Sequence, residues 1–220
     1  MKRFFALACV LFCAVSAAAA DLVVRDGAAA ERTYFRSASK WSSTDLGLTG
    51  TGTDNPIMAG NVYRPDAFEV EATLAFAKLD GGAARVFVGD VVCGIDGSSH
   101  HFFLESPAGS RALGPCGDRI VPGKPFKVRI RGEKGTLSYF VNGELLGECA
   151  YPTDNPLTIG IGPWRATLSI RDFSVSGTAA GRLRDVSAVP VCRTLVPIDR
   201  DGYRQSHNGG KRLPPGRLRG

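Results

Sequence analysis

Glu69 and Glu71 are the residues whose spacing best fits acid–base chemistry. They stand two positions apart in an alternating segment, so on a strand both side chains project from one face, about 6–7 Å apart. That separation is near the one needed by glycosidases that use two carboxyl groups. A denser acidic motif is absent, so a solvated strand face is the favoured interpretation and a catalytic pair is the alternative.

Trp164 and Arg165 are candidates for holding a sugar. An indole ring offers a face for stacking, and a guanidinium group pairs with a carboxylate. Trp164 shares its phase with the apolar residues that follow it, which predicts that its ring packs in the core, while Arg165 faces the other way. Phe140 and Tyr151 are further candidates for a stacking surface.

His100 and His101 could bind a metal or a glycan. Adjacent strand residues face opposite ways, so the two rings cannot enter one site, and no third ligand accompanies them. Sandwich folds often carry calcium, but Asp80, Asp90 and Asp96 are scattered and form no liganding loop. We therefore predict no cofactor, with calcium as the open alternative and His100 as a glycan contact.

Charge is distributed unevenly along the 220 residues. The net charge is +6, of which +2 belongs to Lys2 and Arg3 and +5 to residues 193–220, leaving −1 for residues 21–192. This near-neutral body has no electrostatic footprint for nucleic acid. No GxSxG, Walker or Rossmann pattern occurs either.

Residues 1–20 have the pattern of a signal peptide. Lys2 and Arg3 precede an apolar core at residues 4–15, and small alanines at 18–20 offer a cleavage site before Asp21. The mature chain is therefore predicted to be exported, to the periplasm or the extracellular space. No later segment has the about 20 apolar residues that a membrane-spanning helix needs.

Four of the six cysteines follow this segment: Cys93, Cys116, Cys149 and Cys192. Export permits disulfides, and four cysteines allow three connectivities. We favour a Cys93–Cys116 bond because a short hairpin-like loop could bring them together. The absence of a CxxC motif argues against a zinc or redox site.

The strand pattern is strongest at residues 125–143. Two alternating segments flank a turn at residues 132–135, and Asn142-Gly143 predicts a second tight turn before another strand. Residues 67–77 also alternate, with Glu69 and Glu71 on the polar side. Together these short strands predict an all-β, antiparallel β-sandwich or jelly roll.

Two other segments carry more local predictions. Residues 46–55 are rich in Gly, Thr and Asp, which predicts a loop. A long final strand begins near Trp164 and its alternation slips at Asp172, which predicts a β-bulge there. Gly177 is expected to end that strand.

Three segments carry a resemblance to a known superfamily. They are residues 68–74 (FEVEATL), residues 135–143 (GTLSYFVNG) and the closing IGPWR of 161–165 with DFSVSG of 172–177. Residues 29–177 thereby resemble a concanavalin A-like jelly roll of the laminin-G and lectin type. The closing segment, together with residues 99–102 (SHHF), is similar to the domain that precedes the catalytic propeller of bacterial exo-α-sialidases.

The resemblance implies a division into a signal peptide (1–20), a sandwich (21–180) and a linker with a basic tail (181–220). Residues 190–203 are similar to the lead-in of a sialidase propeller, and residues 204–220 lack periodicity, so we expect a truncated or shifted reading frame or a disordered tail. The function implied is non-catalytic binding of a glycan or sialoglycoconjugate. A structural platform and a stand-alone glycoside hydrolase are the alternatives.

Overall fold

The computed structural model describes residues 20–53, 55–78 and 81–183. Sixteen strands are seen in these residues, with short 3₁₀ turns at Ala38–Lys40 and Gly117–Arg119. The strands are β1 (Asp21–Arg25), β2 (Ala28–Ala29), β3 (Tyr34–Phe35), β4 (Trp41–Thr44), β5 (Gly47–Gly52), β6 (Ile57–Met58), β7 (Asn61–Phe76), β8 (Ala83–Val88), β9 (Val91–Asp96), β10 (His101–Ser106), β11 (Gly109–Pro115), β12 (Phe126–Glu133), β13 (Thr136–Val141), β14 (Glu144–Ala150), β15 (Ile159–Trp164) and β16 (Ala166–Arg182).

The strands form two antiparallel sheets. Sheet A has the order β14-β13-β12-β7-β16-β1-β2, and β5, with its hairpin partner β4, also pairs with β16. Sheet B has the order β11-β10-β9-β8-β15-β6-β3. The predicted all-β antiparallel sandwich is therefore confirmed.

The hairpin strands of residues 126–150 follow the sequence prediction. Lys134 and Gly135 have φ of 51° and 79°, and Asn142 and Gly143 have φ of 51° and 86°. Two successive positive φ values characterise the type I′ turn, whose twist matches that of the flanking strands. These two turns place β12, β13 and β14 side by side in sheet A.

The core lies between the sheets and is built by alternation. Val70, Val128 and Phe173 project inward from neighbouring strands of sheet A and are at most 2% exposed. They join one continuous apolar cluster with residues of sheet B such as Val86 and Phe102. The residues between them in sequence therefore project from the outer faces.

Residues 46–55 are mostly strand, so the predicted loop is wrong. β5 pairs with β4 on one side and with β16 on the other. A Cβ on Gly50 would lie 2.6 Å from the Trp41 ring, so this glycine makes room for an indole. Glycine here serves close packing rather than a turn, and composition does not separate the two.

β16 shows the predicted β-bulge and one error of length. Its register with β7 shifts between Ile170 and Asp172, which confirms the bulge. The strand does not end at Gly177 but continues to Arg182, with two further register shifts after Gly177. The bulges let one strand span nearly the whole length of β7.

Cys93, Cys116 and Cys149 are free thiols, so the predicted Cys93–Cys116 bond is not formed. β10 lies between β9, which carries Cys93, and β11, which precedes Cys116. His101 is paired with both Asp96 and Pro115. Cys93 is therefore about four residues, or roughly 13 Å, from Cys116 along the strands, which is beyond the reach of a disulfide.

Several sequence predictions fall outside the described residues. These are the signal peptide up to residue 19, the tail beyond Leu183, Asp80 and Cys192. Among the residues described, no helix has the length and apolar character to cross a membrane.

Candidate functional site

The outer face of sheet A carries two parallel rows of polar side chains across its central strands. Cross-strand pairing places Arg129 of β12 beside Glu71 of β7, which in turn is beside Ser174 of β16. The neighbouring row runs from Lys127 through Thr73 to Asp172. Each row arises because every second residue of these strands is polar.

A cleft of about 320 Å³ opens over these two rows. We call it the charged cleft and define it by Glu71, Thr73, Lys127, Arg129, Asp172 and Ser174. Its remaining lining comes from Ala72, Val128 and Gly143. Two cations therefore stand on β12, while one carboxylate stands on each of β7 and β16.

No ion pair joins these four charged groups in the part of the chain that the structure describes. Asp172 Oδ1 accepts a hydrogen bond from the Asp26 backbone N–H at 3.2 Å. Glu71, Lys127 and Arg129 are exposed, and Asp172 is half-buried. The charges therefore remain available for hydrogen bonds with a ligand.

The strands beneath the cleft fix the backbone positions from which these side chains project. The inward neighbours Val70, Ala72, Val128 and Phe173 are at most 4% exposed and pack in the main core. Polar groups on central strands with a packed core behind them are better fixed than groups on loops. The spacing of the cleft's polar residues is therefore set by the paired strands.

An aromatic ring stands at one side of the cleft. Phe140 of β13 is paired with Arg129, and its ring centroid is 4.4 Å from the Arg129 guanidinium carbon. Leu145 follows Phe140 in the same row, and Leu22 follows Ser174 at the other end. Leu145 and Leu22 are 48% and 43% exposed, so the polar row is flanked by apolar surface on both sides.

Glu69 and Glu71 project from one face, as their spacing predicts. Glu71 lines the cleft, whereas Glu69 lies outside it, between Arg131 and Ser176. The carboxylate that lines the cleft together with Glu71 is Asp172, which is diagonal to it on the neighbouring strand, at about 7–8 Å between backbones. The cleft thus contains the inter-strand pair Glu71 and Asp172, and not the pair along β7 that the spacing suggested.

Trp164 packs against a buried apolar cluster, as its phase predicted, but that cluster lies outside the core between the two sheets. β15 of sheet B ends at Trp164 and β16 of sheet A begins at Ala166. Arg165 connects them with φ of 50° and carries the chain from one sheet to the other. Alternation therefore does not continue through Arg165, and Trp164 packs on the outer face of sheet B.

That outer face of sheet B differs sharply in character. Ala83, Phe87, Val92 and Phe103 form a second apolar cluster there, with Trp164 packed against it. Arg85 lies in the same layer and is 1% exposed, with its guanidinium carbon 4.4 Å from the Trp164 ring centroid. These side chains are buried, apart from the partly buried Trp164, and all but Arg85 are apolar.

His100 and His101 lie at the turn between β9 and β10, on sheet B and away from the charged cleft. His100 is exposed with φ of 54°, and His101 begins β10 with Nδ1 2.5 Å from the Ser99 carbonyl oxygen. Within the described ranges, no group of three or more His, Cys, Asp or Glu side chains could hold a metal ion.

Of the four predicted glycan contacts, only Phe140 borders the charged cleft. Trp164, Arg165 and His100 belong to sheet B or to its corner with sheet A. Sequence reasoning missed Lys127, Arg129 and Asp172 as site residues. Their signal was the polar phase of β12 and the bulge at Asp172, but the strand pairing that joins them is not visible in one sequence.

No protein-family model matches the sequence, and no curated protein matches it significantly. Solved structures do resemble it. A β-glucanase from Bacillus licheniformis has a TM-score of 0.55 at 10% identity, over 74% of this chain and 99% of that one. The carbohydrate-binding module CBM66 from Bacillus subtilis has a TM-score of 0.51 at 15% identity, over 66% and 96%.

A mutant of Trypanosoma rangeli sialidase that displays trans-sialidase activity is also similar. Its TM-score is 0.50 at 14% identity, over 69% of this chain but only 28% of that one. At such identities the likeness shows a shared fold. It is consistent with the predicted concanavalin A-like jelly roll.

Proposed function

We propose that this protein is a carbohydrate-binding β-sandwich and that the charged cleft is its glycan site. The cleft itself carries the proposal, because it places charged groups that form no ion pair with one another, together with hydroxyls, beside an aromatic ring. Charged groups and the hydroxyls of Thr73 and Ser174 can donate to and accept from sugar hydroxyls. Phe140 offers apolar contact to the carbon face of a sugar ring.

The fold supports this proposal. A carbohydrate-binding module and a β-glucanase have the same sandwich nearly from end to end. The sialidase shares it over about a quarter of its length. We extend the proposal to an exported, non-catalytic domain of sialidase type, on the sequence resemblance and the signal-peptide pattern of residues 1–20.

A glycan array followed by isothermal titration calorimetry tests the proposal. Glu71→Gln removes a charge-assisted hydrogen bond and is expected to weaken binding about five- to tenfold. Glu133→Gln is the matched control, because Glu133 lies on the outer face of β12, about four residues from Arg129. Absence of binding to any glycan, or equal losses in both variants, would contradict the proposal.

Glycoside hydrolysis is the second candidate, favoured by Glu71 and Asp172 lining one cleft. Such catalysis needs one carboxyl group as acid and another as base or nucleophile. Release of reducing ends from a β-glucan, lost in both Glu71→Gln and Asp172→Asn, would establish it. Glycan binding without release of product would rule out hydrolysis and support the binding function only.

A further inference from the structure

We infer that the charged cleft takes an uncharged glycan and gains little affinity from a sialic acid cap. This inference rests on the proposed function and specifies its ligand class. It departs from the sialoglycoconjugate that the sequence resemblance implies.

The charged side chains that line the cleft balance to a net charge of zero. Lys127 and Arg129 are matched by Glu71 and Asp172, and all four line the same cleft. An incoming carboxylate loses hydration, and its attraction to the two cations is opposed by repulsion from the two carboxylates. A net-neutral site therefore offers little electrostatic gain to an anionic ligand.

Arg129 lies between an aromatic ring and a carboxylate. Its guanidinium lies over the Phe140 ring on one side, and Glu71 is its cross-strand neighbour on the other. A sugar carboxylate that approached Arg129 from the middle of the cleft would therefore pass the Glu71 carboxylate. Lys127 has the hydroxyl of Thr73 as its neighbour, with Asp172 one strand further on.

The cleft offers both hydrogen-bond donors and hydrogen-bond acceptors. Glu71 and Asp172 accept hydrogen bonds, Lys127 and Arg129 donate them, and the hydroxyls of the cleft do both. A sugar hydroxyl is itself both donor and acceptor, so it can satisfy either kind of group without adding charge. A neutral polyhydroxyl ligand fits this mixture better than an anion.

The test compares glycans that differ only by a terminal sialic acid, such as lactose and 3′-sialyllactose, on an array and by calorimetry. We expect the sialylated member to bind no more than about threefold more tightly than its neutral partner. Sialylated members that bind tenfold more tightly would overturn the inference and leave the proposed function intact. If no glycan binds at all, the proposed function itself is wrong.

A double variant sharpens the test. Glu71→Gln with Asp172→Asn gives the cleft a net positive charge and is expected to raise the affinity ratio of sialylated to neutral glycan about tenfold. The control Glu133→Gln should leave that ratio unchanged. A ratio that did not rise in the double variant would contradict a charge-balanced site.

Discussion

Each sheet has an arginine whose guanidinium carbon lies 4.4 Å from the centroid of an aromatic ring, Arg85 over Trp164 on sheet B and Arg129 over Phe140 on sheet A. On sheet B, Arg85 is 1% exposed and lies with Trp164 among apolar side chains. On sheet A, Arg129 is exposed and borders an open cleft with Phe140. The same pair chemistry therefore occurs in a closed and in an open setting.

The difference indicates that burial, rather than the chemistry of the pair, sets how much each contact stabilises the fold. A cation–π contact contributes about 2 kcal/mol when desolvated but about 0.5–1 kcal/mol at an exposed site. The sheet B stack is therefore expected to stabilise the fold. The sheet A stack contributes little to stability and remains available to a ligand.

The largest expected effect on stability comes from adding a side chain at Gly94, on the outer face of sheet B. A Cβ on Gly94 would lie 2.3 Å from the Phe103 ring and 2.6 Å from the Ala84 carbonyl oxygen. Because one of these is backbone, Gly94→Val should lower the free energy of unfolding by about 3 kcal/mol or more, measured in urea. Thr73→Val on the outer face of sheet A should change the free energy of unfolding by less than about 1 kcal/mol. Equal losses in the two variants would contradict the difference proposed between the two outer faces.

Truncating the two aromatic rings tests the comparison directly. Trp164→Ala should cost about 2–3 kcal/mol of unfolding free energy, since it removes packing against Phe103 and the stack on Arg85. Phe140→Ala should cost less than about 1 kcal/mol but weaken glycan binding about tenfold. A reversed ranking in thermal unfolding, or binding lost only in Trp164→Ala, would show that the faces have been assigned wrongly.

The buried cysteine thiols between the two sheets predict how stability depends on pH. Burial raises the pKa of the Cys116 thiol from the ordinary 9.0 to about 12, and it also raises the pKa of Cys93. The unfolded chain releases these protons first, so stability is full below pH 9 and falls as pH rises from 9 towards 12. Urea unfolding at pH 8, 9 and 10 should show a loss of up to about 1.4 kcal/mol per pH unit for each buried thiol.

The variant Cys116→Ala provides the check on that slope. It removes one titrating group and should flatten the dependence on pH. An unchanged slope in this variant would mean that the loss has another origin.

The smallest effect on stability is expected at a surface ion pair on the outer face of sheet A. Arg131 and Glu133 approach to 2.6 Å, with side chains 59% and 46% exposed. Because such pairs are screened by water, Arg131→Gln should change the unfolding free energy by less than about 0.5 kcal/mol, with glycan binding unaffected. A larger loss would indicate that the outer face of sheet A also contributes to stability.

The sequence predicts local features of this molecule better than long-range ones. The turns at Lys134-Gly135 and Asn142-Gly143 and the bulge at Asp172 follow from backbone preferences and alternation, which are local. The cleft joins Glu71 to Arg129 and Ser174 through strand pairing across many intervening residues, which one sequence does not reveal. Phe140 remains a predicted stacking residue, and it could be named from the sequence because an aromatic residue in the polar phase of a strand is visible locally.

The errors have equally physical causes. Arg165 has a positive φ without being glycine, so no turn signal marks the place where the chain changes sheets. Gly50 accommodates the Trp41 ring, but its segment had the composition of a loop. The free Cys93 and Cys116 depend on an intervening strand that only the tertiary structure supplies.

The most direct test of the account is to follow backbone amide shifts by NMR while a neutral oligosaccharide identified on the array is titrated. The account predicts that the largest shifts lie at residues 71–73, 127–129 and 172–174, with Phe140 beside them. Shifts concentrated at Trp164, Arg165 and His100 instead would place the glycan on sheet B and contradict it.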